Sequence, residues 1–357
     1  MYELKNRAYI DAALNKNTDY TPVWMMRQAG RYLPEYRELR SKAKNFVELY
    51  KNVELSTEIT LQPIRRFPLD AAIVFSDILT IPEAMGMDLE FVSGKGPVIH
   101  NPINSLVDID NLKTDTLDQN LSFLGEIIEN VQSNLQGEVP LIGFSGSPFT
   151  IASYMIEGGS TRNFLKIKQM MFKDPLILHA LLQKNTESVV NYLKLQLKAG
   201  VNSLMIFDSW GGCLSPSDYK EFSLNYMAFI IKEINLFKKE INSSAPITLF
   251  TKGGGLWLED IAKANPNVIG LDWTIDMGVA RNIIDSSIAI QGNMDPSILY
   301  GSFDKIESSV EDILAKYGSK AGHIFNLGHG IDKDTPIENV EFFINKVHEL
   351  SKKYHNK

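Results

Sequence analysis

The chain has 357 residues, of which 44% are hydrophobic and 22% charged, and its formal net charge is −7. This composition is typical of a folded globular protein, and the acidic balance argues against a general nucleic-acid-binding protein. Any anionic ligand must therefore be bound by a local cluster of cations, because the overall field of the protein repels it.

The N-terminal segment, residues 1–20, lacks the apolar core of a signal peptide, and its acidic residues are atypical of a transit peptide. No apolar run approaches the roughly 20 residues that span a bilayer, so we expect no membrane partner. The single cysteine, Cys213, excludes an internal disulfide and indicates a reducing compartment. We expect a cytoplasmic protein whose first 20 residues pack as helical cover.

Short apolar runs recur along the chain, and each is followed by turn residues and then by a helical pattern. Such continuous runs are typical of strands buried on both faces, as in parallel sheets. The eight predicted strands are PVWMM (22–26), AAIVFS (71–76), PLIGFS (140–145), SLMIFD (203–208), ITLFT (247–251), VIGLD (268–272), IAIQG (288–292) and HIFNLG (323–328). This pattern predicts one α/β domain, residues 1–357, folded as a (β/α)₈ TIM barrel, with an open doubly wound sheet as the alternative.

Helix starts follow several of these strands. A serine, threonine or aspartate precedes proline at Ser147, Ser215, Asp295 and Thr335, which places a capping side chain before the first helical residue. Thr335 with Glu338 has the spacing of a capping box. The clearest helix is predicted from Pro175 to Gly200, with one apolar side formed by Leu178, Leu182, Val189, Leu193 and Leu197.

A short insertion is predicted after the second strand. Residues 85–100, MGMDLEFVSGKGPVIH, have the pattern of a β-hairpin about a Ser-Gly-Lys-Gly turn. Because loops that follow barrel strands surround the catalytic mouth, we expect the hairpin to lie there.

Polar side chains come directly after the predicted strands. In (β/α)₈ barrels the chemistry lies at the carboxyl ends of the strands and in the loops that follow them. The residues at these positions are Arg27, Arg31, Asp77, Tyr154, Asp208, Ser209, Trp210, Lys252, Asp272 and His329. The sequence therefore predicts one site built from distant segments.

Four arginines lie within residues 27–40, which is unusual in an acidic chain. A guanidinium offers a planar fork of donors that matches a carboxylate or a phosphate. Arg27 and Arg31 directly follow the first predicted strand, so we expect them to bind an anion. Arg37 and Arg40 lie near glutamates on the following helix, and we interpret them as part of a solvated helix face.

Several candidates have an ordinary structural interpretation as well. Asp77 either caps the segment that follows it or presents a carboxylate to a cavity, and Asp208 and Asp272 compete for the second role. His329 is either a loop histidine or a ligand contact, and Tyr154 either packs in its helix or faces the site. Position in the chain leaves these alternatives open.

Common cofactor motifs are absent from the sequence. There is no H-E-x-x-H, no G-x-x-x-x-G-K-[ST], no G-x-G-x-x-G and no His/Cys cluster with metal spacing. The KGGG run at 252–255 lacks the length of a phosphate loop. We therefore expect chemistry that uses neither a metal nor another cofactor.

Two long segments resemble a known family. PVWMMRQAGRYLPEYRELR (22–40) and GFSGSPFTIASYMIEGG (143–159) are similar to the signature segments of the uroporphyrinogen decarboxylase family. FSDIL, FDSWGG, QGNMDP and FNLGHG also resemble that family's blocks, in its order and at its spacing. The resemblance covers nearly the whole chain.

The resemblance implies a single (β/α)₈ domain, usually a homodimer, that works without a cofactor. The reaction would convert the four acetate side chains of uroporphyrinogen III to methyl groups, giving coproporphyrinogen III and carbon dioxide. Asp77 would stabilise the transition state by accepting hydrogen bonds from the pyrrole N–H groups, and Arg27 and Tyr154 are further catalytic candidates. The substrate-binding residues implied are Arg27, Gln28, Ala29, Gly30, Arg31, Asp77, Tyr154, Ser209 and His329. The general acid stays open between Arg27, Tyr154 and His329.

Two other functions are alternatives to this reaction. Related barrel methyltransferases hold zinc with His and Cys ligands, and this chain has one cysteine without a matching ligand set. A non-catalytic tetrapyrrole carrier would use the same pocket without turnover.

Overall fold

A parallel sheet of seven strands organises the molecule. The computed structural model describes residues 2–92 and 94–355. Its strands are β1 Ala72–Ile73, β2 Leu89–Val92, β3 Gly96–Ile99, β4 Leu141–Gly146, β5 Ser203–Asp208, β6 Ile247–Thr251, β7 Val268–Gly270, β8 Ala289–Gln291 and β9 His323–Ile324. The parallel sheet has the order β1-β4-β5-β6-β7-β8-β9, and β2 pairs with β3 in a separate antiparallel sheet.

Helices connect the strands of the parallel sheet. They are α1 Ala8–Ala13, α2 Pro34–Lys42, α3 Phe46–Lys51, α4 Val53–Arg66, α5 Thr80–Ala84, α6 Leu106–Asp110, α7 Leu117–Asn120, α8 Ser122–Leu135, α9 Pro148–Glu157, α10 Leu165–Lys173, α11 Pro175–Ala199, α12 Pro216–Tyr219, α13 Asn225–Glu240, α14 Leu258–Lys263, α15 Met277–Ile283, α16 Phe303–Tyr317 and α17 Ile337–His355. Short 3₁₀ turns cover Gly211–Cys213, Gly254–Trp257 and Pro296–Tyr300, and a π-helical turn covers Lys220–Leu224. The chain is thus a mixed α/β protein with a parallel sheet.

Both faces of the sheet are covered by apolar side chains. Because successive residues of a strand point to opposite faces, each strand contributes to two layers. One layer contains Ile142, Phe144, Met205, Phe207 and Phe250, and the other contains Leu141, Leu204, Ile206 and Leu249 together with the helices. Two-sided burial explains why seven of the predicted strands are continuous apolar runs in the sequence.

The prediction of a first strand at residues 22–26 is wrong. This segment forms a single parallel bridge, Val23 to Phe325, and no regular strand. Three of its backbone N–H groups donate to side chains rather than to a neighbouring strand: Val23 N to Asp70 Oδ2 (2.7 Å), Met25 N to Gln28 Oε1 (3.1 Å) and Met26 N to Asn326 Oδ1 (3.1 Å). The ladder is interrupted because these side chains take its donors.

Residues 22–26 nevertheless lie between the two ends of the sheet. Asp70 N donates to Val23 O (2.9 Å) on one side, and Phe325 N donates to Pro22 O (2.8 Å) on the other. The side chain of Trp24 is fully buried in the same layer as Phe144 and Phe250.

Helix α1 packs against this inner layer. Tyr9 and Ile10 are buried in it, and the hydroxyl of Tyr9 lies 3.3 Å from Ser203 Oγ at the start of β5. Outside α1, residues 2–20 are not helical. An amphipathic turn therefore occupies the end of the sheet at which the strands begin.

Two of the predicted helix boundaries are confirmed, and one predicted capping box is wrong. Helix α11 spans Pro175–Ala199 and ends at Gly200 in the left-handed conformation (φ 107°), as predicted. Ser147 Oγ accepts from Thr150 N at the start of α9, also as predicted. The capping box at Thr335 is wrong, because α17 begins only at Ile337 and Thr335 Oγ1 is buried without a hydrogen-bond partner in the described chain.

The insertion after β1 contains an antiparallel pair. β2 and β3 pair from Leu89–Ile99 to Val92–Gly96, and Ser93 of the predicted turn lies outside the described residues. Ile99 N donates to Gly158 O (3.0 Å) at the end of α9. A Cβ at Gly159 would lie 2.6 Å from Pro97 O, so this close approach requires glycine.

Among the helices described here, none combines the length and the apolar character that crossing a membrane requires.

Candidate active site

The carboxyl ends of the strands bring together side chains that are far apart in sequence. The positive charge of Arg27 acts on the pKa of Asp77, of Tyr154 and of His329. These residues come from four segments: the loop after residues 22–26, the loop after β1, helix α9 and the loop after β9. Asp77, Tyr154 and His329 therefore lie within electrostatic reach of Arg27, at the edge of the sheet where parallel strands end.

Asp77 lies deep in the protein while part of its surface stays accessible. Its Oδ1 accepts a hydrogen bond from Leu79 N (2.8 Å), which is the capping role that the sequence allowed. Its Oδ2 accepts no hydrogen bond from the residues described, so one face of the carboxylate is open. Burial raises the pKa of Asp77, and the hydrogen bond from Leu79 and the charge of Arg27 oppose that rise.

Arg27 has an unusual backbone and a specific space for its side chain. Its φ is 66°, a left-handed conformation that costs a non-glycine residue about 1–3 kcal/mol and is found disproportionately at functional sites. A Cβ at Gly330 would lie 2.8 Å from Cγ and Nε of Arg27, so the guanidinium arm passes over a glycine. The side chain itself is exposed.

The rest of the predicted anion loop divides into structural and accessible residues. Gln28 is fully buried, and its Nε2 donates to Ala71 O (3.1 Å), so its side chain holds the loop against β1. A Cβ at Gly30 would lie 2.9 Å from Arg27 O, which explains a glycine at this tight turn. Ala29 is partly exposed and Arg31 is exposed. The backbone of Gln28 also has internal partners, because its N–H donates to Met25 O (2.9 Å) and its carbonyl oxygen accepts from the hydroxyl of Tyr32 (2.8 Å).

Tyr154 projects from α9 toward the same centre. Its ring lies 6.0 Å from the ring of Trp210, between centroids. Burial raises the pKa of the Tyr154 hydroxyl, and the negative charge of Asp77 raises it further. The hydroxyl therefore keeps its proton at neutral pH.

His329 lies within electrostatic reach of two cations, Arg27 and Lys252. Burial lowers its pKa to about 4, and the charges of Arg27 and Lys252 act in the same direction, whereas Asp272 opposes them. Its ring lies 6.3 Å from that of Phe250 and 6.4 Å from that of Trp273. The imidazole is therefore neutral at pH 7 in the free protein.

The two competing aspartates have internal partners. Asp208 is fully buried and accepts hydrogen bonds from the hydroxyls of Ser147 (2.7 Å), Thr150 (3.0 Å) and Ser223 (2.8 Å). Asp272 is 2% exposed and accepts from Gly253 N (2.5 Å) and from both N and Oγ1 of Thr274. Both carboxylates hold loops together, which leaves Asp77 as the open one.

Ser209 lines a small cavity that begins at the end of β5. The cavity has a volume of about 240 Å³, and its lining is Ser209, Trp210, Gly212, Cys213, Lys252, Gly253, Asp272 and Thr274. Lys252 was noted at the end of β6 in the sequence but was not among the predicted ligand contacts. The sequence signal for a ligand contact at Lys252 is its position directly after a strand, at the same edge of the sheet as Arg27.

Arg37 and Arg40 do not have the predicted glutamates as partners. Glu35 pairs with Arg66 (2.6 Å) and Glu38 pairs with Lys42 (3.0 Å). Arg37 instead donates to the carbonyl oxygen of Arg31 (2.7 Å). A surface cleft of about 530 Å³ is lined by Arg31, Tyr36, Arg37, Arg40, Ser41, Lys333 and Asp334. Arg37 and Arg40 therefore line one cleft together with Arg31, the second arginine of the predicted anion loop.

Within the part of the chain that the structure describes, no three His, Cys, Asp or Glu side chains are grouped so that they would hold a metal ion.

Comparison with known proteins gives consistent matches. A family model described as "Uroporphyrinogen decarboxylase (URO-D)" matches residues 4–350. The uroporphyrinogen decarboxylase of Vibrio cholerae serotype O1 is 53% identical over 356 residues, covering 99% of this chain and 100% of that protein. The uroporphyrinogen decarboxylase of Photobacterium profundum is 54% identical over 356 residues, with the same coverage.

Among solved structures, a methyltransferase from Methanosarcina mazei superposes with a TM-score of 0.81, covering 97% of this chain and 99% of that one. Its sequence identity is 19%, so this likeness shows the shared fold alone. The family model and the two relatives span almost all of the sequence and include the segments that carry Arg27, Asp77, Tyr154 and His329. The chain belongs to the uroporphyrinogen decarboxylase family.

Proposed function

We propose that the chain removes carbon dioxide from the four acetate side chains of uroporphyrinogen III, giving coproporphyrinogen III, a step of haem biosynthesis. Family membership and relatives with that name support the reaction. The observation that carries it is the open carboxylate oxygen of Asp77, deep in the protein and beside the charge of Arg27.

Asp77 has the role of transition-state stabiliser. Breaking the bond to the carboxylate leaves an electron pair, and protonation of the adjacent pyrrole ring at carbon provides a sink for it. The ring then carries positive charge, which a fixed anion in a cavity of low polarity stabilises with little reorganisation. The exocyclic methylene that remains then takes up a proton while the ring carbon loses the one it received, so each acetate becomes a methyl group with net uptake of one proton. The reduced macrocycle is flexible, so its four pyrrole N–H groups can point toward the Oδ2 side of Asp77.

The arginine loop binds the acidic arms of the substrate. Arg27 and Arg31 form charge-assisted hydrogen bonds to carboxylates, and Gln28, Ala29 and Gly30 form the loop between them. The left-handed backbone at Arg27 fixes the direction of its side chain before the substrate arrives. An acidic protein thereby concentrates cations where an octacarboxylate needs them.

Tyr154 and Arg27 are the proposed catalytic partners of Asp77. Tyr154 keeps its proton at neutral pH and lies within reach of the charge of Asp77, so it is available to donate a hydrogen bond or a proton. Arg27 is a very weak acid, so its main contribution is to hold the reacting acetate. Ser209 and His329 are proposed as further contacts to the substrate.

The proposed architecture is one domain, residues 1–357, in which the sheet closes as a (β/α)₈ barrel. The hydrogen bonds of residues 22–26 to both ends of the sheet support closure. Helix α1 would cover the bottom of the barrel, and the β2–β3 pair would flank the mouth near Tyr154. We also propose that the protein is a homodimer in the cytoplasm. The side chain of Leu256, which is 89% exposed, supports this proposal because it offers apolar surface to a partner subunit.

The test is anaerobic incubation with uroporphyrinogen III, followed by separation of the products by carboxylate number. Products with seven, six, five and four carboxylates support the proposal. Binding without any of these products would instead identify a carrier. Stoichiometric zinc in the purified protein together with methyl transfer would identify a methyltransferase. A cysteine binds zinc as the thiolate, whereas burial raises the pKa of Cys213 to about 11, so its thiol stays protonated at neutral pH.

A further inference from the structure

Lys252 is held between two indole rings at the mouth of the site. It follows β6 directly, and its ammonium lies 6.0 Å from the ring centroid of Trp210 and 6.0 Å from that of Trp273. The two tryptophans come from the loops after β5 and β7, on either side of β6. Three adjacent strands thus fix the position of one cation.

Lys252 has no carboxylate partner within residues 2–92 and 94–355. The nearest candidate, Asp272, lines the same cavity but already accepts hydrogen bonds from Gly253 and Thr274. Exposed lysines such as Lys263 and Lys353 pair with carboxylates, whereas Lys252 is only partly accessible and is flanked by apolar rings. A partly shielded cation without a counter-charge is a ready site for an anion.

We propose that Lys252, framed by Trp210 and Trp273, binds one side-chain carboxylate of the substrate at a subsite distinct from the Arg27–Arg31 loop. This inference rests on the proposed function, because it takes the tetrapyrrole polyacid as the ligand. The guanidinium loop covers only part of a macrocycle that carries eight acidic arms. Each arm that enters the cavity needs its own cationic or hydrogen-bonding partner.

The cavity beside Lys252 has the size of one arm. Its volume of about 240 Å³ is below the roughly 300–1,000 Å³ of pockets that hold a whole small ligand. Ser209 lines it as well, so a carboxylate there meets an ammonium and a hydroxyl. The indole rings flank the ammonium, and the partial burial of Lys252 strengthens the interaction between the opposite charges.

The subsite adjoins two residues of the active site, because the ring of Trp210 lies 6.0 Å from that of Tyr154 and the ring of Trp273 lies 6.4 Å from that of His329. Both Lys252 and Arg27 act on the pKa of His329, so the histidine lies within electrostatic reach of the two cations. A substrate with one arm on Arg27 and another on Lys252 therefore spans His329. Lys252 sets the orientation of the macrocycle over Asp77 and takes no part in breaking the bond.

The experiment compares Lys252→Met, Lys252→Gln and Lys252→Arg with the parent in anaerobic turnover of uroporphyrinogen III. Methionine keeps an unbranched apolar stem between the indoles and removes the charge, and glutamine is a second neutral variant in case methionine disturbs packing. Lys263→Met is the matched control, because it removes one lysine from α14, after the same strand, where Lys263 pairs with Asp260 (3.0 Å).

We expect KM for Lys252→Met and Lys252→Gln to rise about 10- to 100-fold, as for loss of a charge-assisted hydrogen bond, with kcat changed much less. KM should also depend less on salt than in the parent, and Lys252→Arg should recover most of the affinity. Lys263→Met should match the parent.

Two results would overturn the subsite: neutral variants with the parental KM and salt dependence, or a Lys263→Met effect as large as that of Lys252→Met. A parent without turnover would contradict the proposed function instead. In that case the dissociation constants for uroporphyrinogen III, from quenching of tryptophan fluorescence, still decide whether Lys252 binds a carboxylate.

Discussion

Gly330 leaves open the space that the side chain of Arg27 occupies: a Cβ at position 330 would lie 2.8 Å from both Cγ and Nε of the arginine. Gly330→Ala should therefore displace the guanidinium without disturbing a backbone contact. Because a misplacement of about 1 Å costs roughly 100-fold in rate, we expect kcat/KM for uroporphyrinogen III to fall by about that factor.

The control for this variant is Gly125→Ala in helix α8, where an added Cβ meets no atom within 4 Å. This control should keep the parental rate and gain up to about 1 kcal/mol of stability from helix propensity. Parental kinetics in Gly330→Ala would show that the position of Arg27 does not matter for turnover.

The negative charge of Asp77, which the proposed reaction needs, should lower the stability of the folded protein at neutral pH. Burial raises the pKa of Asp77, so the folded protein holds more protons on this group than the unfolded chain, whose aspartates titrate near 3.9. A raised carboxyl pKa favours folding only at low pH, and that contribution is lost as pH rises through the folded-state pKa. At neutral pH the ionised carboxylate therefore destabilises the fold.

Asp77→Asn removes this destabilisation while its amide oxygen still accepts from Leu79 N. We expect the variant to melt at a higher temperature than the parent at pH 7.5, and the difference to shrink as pH is lowered. Differential scanning calorimetry across this range measures it. A variant less stable than the parent at pH 7.5 would contradict the cost of burying the Asp77 charge.

Asp208 differs from Asp77 in the number of hydrogen bonds that its carboxylate accepts, although burial raises the pKa of both. Its carboxylate accepts hydrogen bonds from the hydroxyls of Ser147 and Thr150 at the start of α9 and of Ser223 in the π-helical turn. Asp208→Ala leaves these buried groups without an acceptor, and we expect a loss of about 2–4 kcal/mol in the free energy of unfolding. Urea denaturation measures this, and Asp208→Asn, which retains an acceptor oxygen, should cost less. Equal stability of Asp208→Ala and the parent would mean that the hydroxyls find other partners.

The acid sensitivity of the protein should depend on His329. Its pKa of about 4 in the folded protein lies below the usual 6.5, so the unfolded chain binds its proton first as pH falls. The stability that neutral His329 contributes is present above pH 6.5 and is lost progressively down to about pH 4.

His329→Gln should therefore lose less stability than the parent between pH 6.5 and 4.5. The second buried histidine, His323, whose pKa burial lowers to about 3, is present in both proteins and cancels in the comparison. Identical pH slopes of the free energy of unfolding in the two proteins would show that His329 titrates normally.

Much of the fold was predictable because parallel strands buried on both faces are continuous apolar runs. The segment 22–26 has the same composition, yet it is not a strand, since the side chains of Asp70, Gln28 and Asn326 take its N–H groups. Such diversions involve residues up to 300 positions away, as for Met26 and Asn326, and local sequence cannot reveal them.

The positions of the candidate site residues were predictable because they directly follow the strands. The role of each residue was not predictable. Asp77 and Asp208 both end an apolar run beside a serine, in FSD and FDS, and nothing local separates an open carboxylate from one that three hydroxyls occupy. Lys252 was not predicted as a ligand contact, because the two indoles that hold it come from other loops.

Turnover by Asp77→Asn tests the central claim most directly. Single-turnover rates with uroporphyrinogen III under anaerobic conditions, for a variant whose folding is verified, report the chemical step without product release. An anion that stabilises the cationic ring predicts a rate about 100- to 1,000-fold below the parent, or about 3–4 kcal/mol. A variant that decarboxylates at the parental rate would show that the charge of Asp77 plays no part in the reaction.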